Sequence, residues 1–231
     1  MIDGRGNPVK SGGLSQEGLK LIACVTMLLD HVGAVLFPGV GLRIIGRTAF
    51  PIYCFLLAEG ARHTRSPGRY ALRLGVGAVL AEVPFDLLFF GGLTPEHQSV
   101  MVTLLLGLGM ALWMRRGRWK IVPMILCAAA AQWLNSDYGW AGIVMIWIFV
   151  VTERVERKRL WQALLLAAVC LSMDSMRISL AGLRVPIQVF AVLALIPIGC
   201  YSGCKRTGSR MAQWGFYLFY PVHLVLLWLL V

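Results

Sequence analysis

Long apolar stretches, separated by short polar segments, run through almost the whole of this sequence. Each stretch is close to the roughly 20 residues that cross a bilayer as an α-helix, and the pattern predicts nine such helices. The fourth to seventh are shorter than a comfortable span, so we expect local thinning of the bilayer, tilt of the neighbouring helices or a re-entrant segment there. The predicted spans cover residues 19–37, 42–58, 71–90, 99–114, 121–134, 138–152, 160–174, 185–201 and 214–231.

The composition agrees with a membrane location. Hydrophobic residues make up 58% of the 231 residues and charged residues only 14%, whereas a soluble domain is about one quarter charged. We therefore predict an all-α polytopic membrane protein with a flexible cytoplasmic lead over residues 1–18 and one transmembrane helical domain over residues 19–231. No cleavable signal is expected, because the first apolar run contains Asp30 and His31 and no small-residue cleavage site follows it.

The basic residues predict the orientation. The net charge is +11, and sixteen of the 22 Lys and Arg lie in the lead and in alternate loops, whereas the loops between contain only Arg177 and Arg184. Because Lys and Arg in short loops stay on the cytoplasmic side, the N-terminus is predicted to be cytoplasmic and the C-terminus extracytoplasmic. The charge is spread over separate loops without a shared face, so no nucleic-acid partner is expected.

Several chemistries lack their motifs. The six cysteines lie in or beside apolar spans without zinc-ligand spacing, so neither a disulfide framework nor a metal site is expected. The sequence contains no P-loop and no His-Glu-x-x-His motif, which argues against ATP-driven and zinc-protease mechanisms.

Ionisable side chains inside the spans are candidates for function, because each is costly in lipid unless it is paired or hydrated. Arg43 and Arg47 lie four residues apart on one helical face, and Glu82 and Asp86 do so in the next span. We expect these two cations to meet these two anions at one depth, toward the extracytoplasmic side. The alternative interpretation is a salt-bridge network that only holds helices together.

His31 is the side chain best suited to transfer a proton near neutral pH. Adjacent helical residues point about 100° apart, so a carboxylate from another span, and not Asp30, is expected to orient the imidazole ring. His223 is the alternative base. We expect one polar pocket, open to the extracytoplasmic side, to gather these groups with residues in or near the outer loops: His97, Gln98, Asp137 and Tyr138.

A series of short motifs extends over nearly the whole chain after residue 18. In order, they are Leu19-Lys20-Leu21-Ile22, Asp30-His31-Val32-Gly33, the run from Leu42 to Pro51, Glu59-Gly60, His63-Thr64, Tyr70 with Arg73, Glu82-Val83-Pro84-Phe85-Asp86, Asp137-Tyr138-Gly139, Tyr201-Ser202-Gly203 and Phe219-Tyr220-Pro221-Val222-His223. In this register they resemble the TraX family of conjugative-plasmid membrane proteins. The sequence departs from the family at Gln98-Ser99, where Gln-Asn is common, which puts a role for that amide in doubt.

The resemblance implies a membrane acetyltransferase of the bacterial inner membrane that modifies the N-terminus of a pilin subunit. Acetyl-coenzyme A would be the donor, transfer would be direct, and the partners would be the pilin, the bilayer and other conjugative-transfer membrane proteins. The implied residues fall into three groups. They are catalytic (Asp30, His31, Arg43, Arg47, Glu82, Asp86 and His223), donor-binding (Arg62, Arg65, Arg69 and Arg73) and substrate-binding (Glu59, Gln98, Asp137, Tyr138 and Tyr220).

Other functions stay open at this point. The buried charges also suit a proton-coupled or small-solute transporter, and a non-catalytic pilus assembly factor would use them only as a brace. Within the enzyme class, the acceptor could be a lipid or a glycan. Placement in the TrbP branch of the family also stays open, and with it a different substrate. The sequence does not distinguish a monomer from a small homo-oligomer.

Overall fold

The computed structural model describes residues 13–117, 120–173, 175–180, 183–203 and 210–231. These residues are mostly helical and form nine helical segments, as the apolar pattern predicts, if the broken pairs α2/α3 and 3₁₀/α9 each count once. The bounds are α1 (Gln16–Val35), α2 (Val40–Gly46), α3 (Ala49–His63), α4 (Pro67–Phe90), α5 (Val100–Arg116), α6 (Val122–Trp133), α7 (Gly139–Val151), α8 (Lys158–Ser172), β1 (Arg177–Leu180), β2 (Leu183–Pro186), a 3₁₀ helix (Ile187–Ala194), α9 (Leu195–Gly199) and α10 (Arg210–Trp228).

The surface of the helices is strongly apolar. On α4, Leu72, Val76, Val79 and Val83 are exposed and recur every three or four residues, with Val79 74% exposed. A continuous apolar stripe of this kind is typical of a surface that faces lipid or a partner. Within the described residues, two helical segments, Gln16–Val35 and Val40–His63, are long and apolar enough to cross a membrane. The apolar helices are consistent with a membrane protein. Among the described residues, two of the nine predicted crossings meet this criterion of length and hydropathy.

The second predicted span is broken in the middle. Helix α2 ends at Gly46 and α3 begins at Ala49, because Pro51 has no N–H to donate to the carbonyl of Arg47. Thr48 closes the break by donating its hydroxyl to the Ile45 carbonyl at 2.7 Å. The break therefore places Arg47 at a bend between two helices.

Two further segments differ from the predicted spans. Helix α1 begins at Gln16, inside the predicted lead, because the Ser15 hydroxyl accepts the Gly18 N–H at 3.1 Å and caps the helix. The first twelve residues of that lead lie outside the described residues. Strands β1 and β2 form an antiparallel hairpin that the apolar pattern did not predict, because strands of four residues are too short for their alternation to stand out.

The buried core lies between α1, α3, α5 and α7, and α10 packs against α4 and α1. Close helix contact depends on glycine at particular positions. A Cβ at Gly33 would lie 2.7 Å from the Leu42 Cβ, so only glycine lets α2 approach α1 this closely. This approach brings Asp30 of α1 close to Arg43 of α2 and to Arg47, which follows α2.

Candidate functional site

A cavity of about 690 Å³ lies between α1, α3, α4 and α10. On α1 it is lined by Gln16, Lys20, Met27, Asp30 and His31, whose spacing places them on one helical face. Since each helical residue advances 1.5 Å, the cavity follows α1 for about 22 Å. It therefore has two ends, which we call the Lys20 end and the His31 end.

An ion-paired cluster stands at the His31 end. Asp30, 8% exposed, accepts hydrogen bonds from Arg47 Nε at 3.1 Å, from Arg47 Nη2, and from Arg43 Nη1 at 3.3 Å. Arg47 Nη1 also donates to the buried Gln188 Oε1 at 3.2 Å. The two-point contact of Arg47 with one carboxylate is a strong and geometrically specific pairing. Arg47 thereby ties α1 to α2 and to the 3₁₀ helix.

The expected pairing of Arg43 and Arg47 with Glu82 and Asp86 is wrong, because the arginines pair with Asp30. The two acids bind the chain that follows α4. Glu82 accepts the N–H of Ser99 at 3.1 Å and its hydroxyl at 2.7 Å, and Asp86 accepts the Thr94 N–H at 3.0 Å. The first N–H groups of α5 need acceptors and favour negative charge, which explains the position of Glu82.

His31 is paired with His223 of α10, where a carboxylate was expected. His31 Nδ1 lies 2.7 Å from His223 Nε2, and the two ring planes are parallel to within 2°. Phe89 meets the His31 ring edge-on at 5.6 Å and Tyr220 at 6.2 Å between ring centroids. His31 and Tyr220 both line the cavity. The ring is thus held by aromatic neighbours and by one imidazole partner.

The loop before α7 completes the His31 end. Asp137 and Tyr138 line the cavity, and the Asp137 carboxylate accepts the Tyr138 N–H at 3.0 Å. The enclosing protein raises the pKa of Asp137, and the nearby charge of Arg47 partly opposes this shift. Asp137 is nevertheless exposed, and it lines the cavity. Asp137 is therefore an acid that a ligand in the cavity can reach.

Gln98 lies outside this arrangement. Its side-chain amide donates to the Pro95 carbonyl at 3.1 Å, and its backbone carbonyl accepts the Asp137 N–H at 2.8 Å. Gln98 therefore fixes the loop that carries Asp137 through its backbone. The expectation that one pocket gathers the polar residues near the outer loops holds for Asp137 and Tyr138 and is wrong for His97 and Gln98, which do not line the cavity.

Of the four arginines expected to bind the donor, Arg73 lines the cavity, at the Lys20 end. Arg62 pairs with Glu59 and Glu153, Arg69 donates to the Ser66 hydroxyl at 2.7 Å, and Arg65 is exposed. The pairing with Arg62 also places Glu59 in a bridge between α3 and the segment after α7, away from the cavity lining.

Lys20 is the cavity cation that the sequence interpretation missed. Its Nζ lies 5.2 Å from the centre of the Phe216 ring, and Arg73 lies 5.9 Å from that of Tyr217. Lys20 and His31 are eleven residues apart, which is close to three helical turns and puts both on one face. That spacing was the signal available in the sequence.

Among the described residues, no three His, Cys, Asp or Glu side chains are grouped so that they could hold a metal ion. The chemical groups at the His31 end are the imidazole pair His31 and His223, two guanidinium groups and two carboxylates. Such a set can accept a proton, stabilise an oxyanion and bind a cation.

Comparison with known protein families identifies the family of this chain. The sequence profile described as "TraX protein" matches residues 15–231. The chain belongs to the TraX family. The family match covers every residue of the cavity lining and confirms the predicted resemblance to this family.

Two other proteins are similar to this chain in sequence. The chain is 34% identical over 245 aligned positions to the "Probable fimbrial assembly protein FimC, serogroup H1" of Dichelobacter nodosus, covering 90% of this chain and 92% of the relative. It is 28% identical over 154 positions to "Uncharacterized protein RP591" of Rickettsia prowazekii (strain Madrid E), covering 63% of this chain and 59% of that protein. No solved structure matches the chain.

Proposed function

We propose that this TraX-family protein is a multi-pass inner-membrane acetyltransferase that transfers an acetyl group from acetyl-coenzyme A to the N-terminal amine of a pilin subunit. The observation that carries the proposal is the cavity, which has two cations at one end and a hydrogen-bonded imidazole at the other. The family match and the fimbrial assembly name of one relative support a pilus substrate.

The orientation follows from the charges of the loops. With the N-terminus in the cytoplasm, the Lys20 end opens toward the compartment that contains coenzyme A. The His31 end then lies toward the outer face, where a mature pilin N-terminus would arrive. The same topology makes the shorter helices partial crossings or crossings of a locally thinned bilayer, because α6 is only about 18 Å long.

The donor lies along the cavity in this proposal. Lys20 and Arg73 bind the phosphates of the coenzyme, since charge-assisted hydrogen bonds to phosphate are the strong ones. The flexible arm runs along α1 past Met27, which is apolar and lines the cavity. The thioester then reaches the His31 end, about 16 Å further along the helix axis than Lys20.

His31 acts as the base that takes a proton from the attacking amine. The amine nitrogen forms a bond to the thioester carbonyl carbon, the carbon–sulfur bond breaks, and the proton passes from His31 to the departing thiolate. The products are the acetylated amine and coenzyme A with a free thiol. The chemistry needs neither a covalent enzyme intermediate nor a metal ion.

Arg43 is the group best placed to stabilise the oxyanion. Arg47 uses Nε, Nη1 and Nη2 on Asp30 and Gln188, whereas the contacts of Arg43 with Asp30 run through Nη1 alone. Donors aimed at the developing charge contribute about 3 to 4 kcal/mol in comparable sites. Asp137, reachable from the cavity, binds the incoming ammonium group, which releases one proton to water and so becomes the neutral amine that attacks the thioester.

A non-catalytic assembly factor is the second candidate, favoured by the name of the relative from Dichelobacter nodosus, a probable fimbrial assembly protein. It makes a different prediction for His31. As a brace between α1 and α10, the imidazole pair could be replaced by any side chains that keep the helices together, without a chemical consequence for the pilin.

Mass spectrometry of the partner pilin distinguishes the two candidates. Pilin from cells with the wild-type protein is expected to carry one additional acetyl group at its N-terminus, and pilin from cells with His31→Ala is expected to lack it. His97→Ala is the matched control, because His97 does not line the cavity: its ring bonds to Asn135 and stacks on one lining residue, Phe90. Unmodified pilin in the presence of the wild-type protein, or equal acetylation with His31→Ala, contradicts the proposal.

A further inference from the structure

The hydrogen-bond pattern of the imidazole pair determines where its protons lie. His223 Nδ1 is 2.7 Å from the backbone carbonyl oxygen of Phe219, one helical turn earlier in α10. A carbonyl oxygen only accepts hydrogen bonds, so Nδ1 of His223 must carry a hydrogen. In a neutral imidazole the other ring nitrogen is then an acceptor. Nε2 of His223 therefore presents a lone pair.

That lone pair faces His31 Nδ1 at 2.7 Å. Two lone pairs would repel at this distance, so His31 Nδ1 donates its hydrogen to His223 Nε2. The remaining nitrogen of His31, Nε2, is then unprotonated. The chain of bonds from the Phe219 carbonyl through His223 thus selects the tautomer of His31, as a hydrogen bond to one ring nitrogen does in general.

The two rings are not equivalent with respect to the cavity. His31 lines it, whereas His223 is 3% exposed and lies behind His31, between the ring of Phe219 at 4.9 Å and that of Tyr220 at 5.6 Å. A substrate in the cavity meets His31 first. This arrangement argues against His223 as an alternative base.

We infer that His223 is a positioning residue, which holds His31 in the tautomer whose Nε2 accepts the proton of the attacking amine. Its role corresponds to that of the carboxylate behind the histidine of a hydrolase triad, which fixes the ring and its tautomer. Here the partner is a neutral imidazole, itself anchored by a backbone carbonyl. The role of this tautomer in catalysis rests on the proposed acetyl transfer. The assignment of the tautomer itself rests only on the two hydrogen bonds of His223.

The same bonds explain how a proton can be stored during transfer. When His31 Nε2 takes the proton of the amine, His31 Nδ1–H still donates to His223 Nε2, so no ring has to rotate. Moving the shared proton to His223 shifts the positive charge toward the Phe219 carbonyl. The proton returns by the same route to the thiolate that leaves when the carbon–sulfur bond breaks.

Nitrogen NMR of the full-length protein in lipid nanodiscs tests the tautomer without an activity assay. The chain has four histidines, and selective ¹⁵N-histidine labelling with single substitutions assigns each ring. In the wild-type protein, His31 is expected to be protonated at Nδ1 and unprotonated at Nε2. His223→Gln should keep this state because the glutamine carbonyl can accept from Nδ1–H, and His223→Leu should lose it.

Activity of the same variants tests the consequence. Acetyl transfer is expected to fall about 100-fold in His223→Leu and to stay within about tenfold of wild type in His223→Gln, with an unchanged KM for acetyl-coenzyme A. A wild-type His31 protonated at Nε2 overturns the inference, as does a Gln variant as inactive as the Leu variant. If His223→Leu does not fold, the wild-type and Gln spectra decide. Absence of transfer by the wild-type protein would reject the proposed function and leave the tautomer result standing.

Discussion

Gly46 lies directly against Asp30 at the contact between α1 and α2, where a Cβ on Gly46 would overlap the Cα, Cβ and Oδ1 of Asp30. The absence of a side chain lets the Asp30 carboxylate reach Arg43 and Arg47 on the same helix face. The ion-paired cluster therefore depends on a gap at residue 46 as much as on its charges.

Gly46→Ala is expected to destabilise the protein by about 1 to 3 kcal/mol, because the new methyl group can fit only if α1 and α2 move apart. The displacement also separates Asp30 from Arg47, so acetyl transfer should fall. Thermal unfolding in detergent measures the first effect. Gly41→Ala is the matched control on the same helix, since a Cβ there meets nothing within 4 Å. Equal melting temperatures for the two variants would contradict the packing argument.

Asp30→Asn leaves two partly buried guanidinium groups without the buried carboxylate that pairs with them. Breaking a buried pair from one side typically costs about 3 to 5 kcal/mol, so a large loss of thermal stability is expected. Glu156→Gln, at an exposed acid, should have little effect. The double variant Asp30→Leu with Arg47→Met should recover part of the stability and none of the activity. A single variant as stable as wild type would show that Asp30 does not balance the two arginines.

Lys20→Ala and Arg73→Ala should each raise the KM for acetyl-coenzyme A by roughly tenfold and leave kcat nearly unchanged. The loss corresponds to one charge-assisted hydrogen bond to a phosphate that forms in the ground state as well as in the transition state. Steady-state kinetics with the purified protein measure the two constants. Arg65→Ala is the control, since Arg65 is exposed and lies outside the cavity lining. A KM that moves only in the Arg65 variant would place the donor elsewhere.

Glu82→Ala should reduce stability by about 1 to 2 kcal/mol, the usual cost of removing a helix N-cap acceptor, with kcat close to that of wild type. The residue binds Ser99 at the start of α5 and is not in the ion-paired cluster. Comparison of melting temperature and kcat decides between a structural and a chemical role. A large loss of kcat in a variant with an unchanged melting temperature would show that Glu82 takes part in the reaction.

The number of helices and the shared face of Arg43 and Arg47 follow from local spacing, which is why the sequence could predict them. The partners of these arginines could not be predicted in the same way. In the next span, Glu82 binds the N–H of Ser99 at the start of α5 and Asp86 binds the N–H of Thr94 in the loop after α4, and these requirements become visible only when the loop is folded. The bend at Arg47 was readable from Pro51, whereas the pairing of His31 with His223 joins residues 192 positions apart.

Acetyl transfer by the purified protein tests the central claim most directly. The protein in nanodiscs would receive acetyl-coenzyme A with a ¹³C-labelled acetyl group and a peptide with the N-terminal sequence of its pilin, and mass spectrometry would follow the peptide. We predict one labelled acetyl group on the N-terminal amine and one equivalent of released thiol with the wild-type protein, and a rate lower by about 10²- to 10⁴-fold with His31→Ala. An unlabelled peptide with wild-type protein, or equal rates for wild type and a folded His31→Ala variant, would contradict the account.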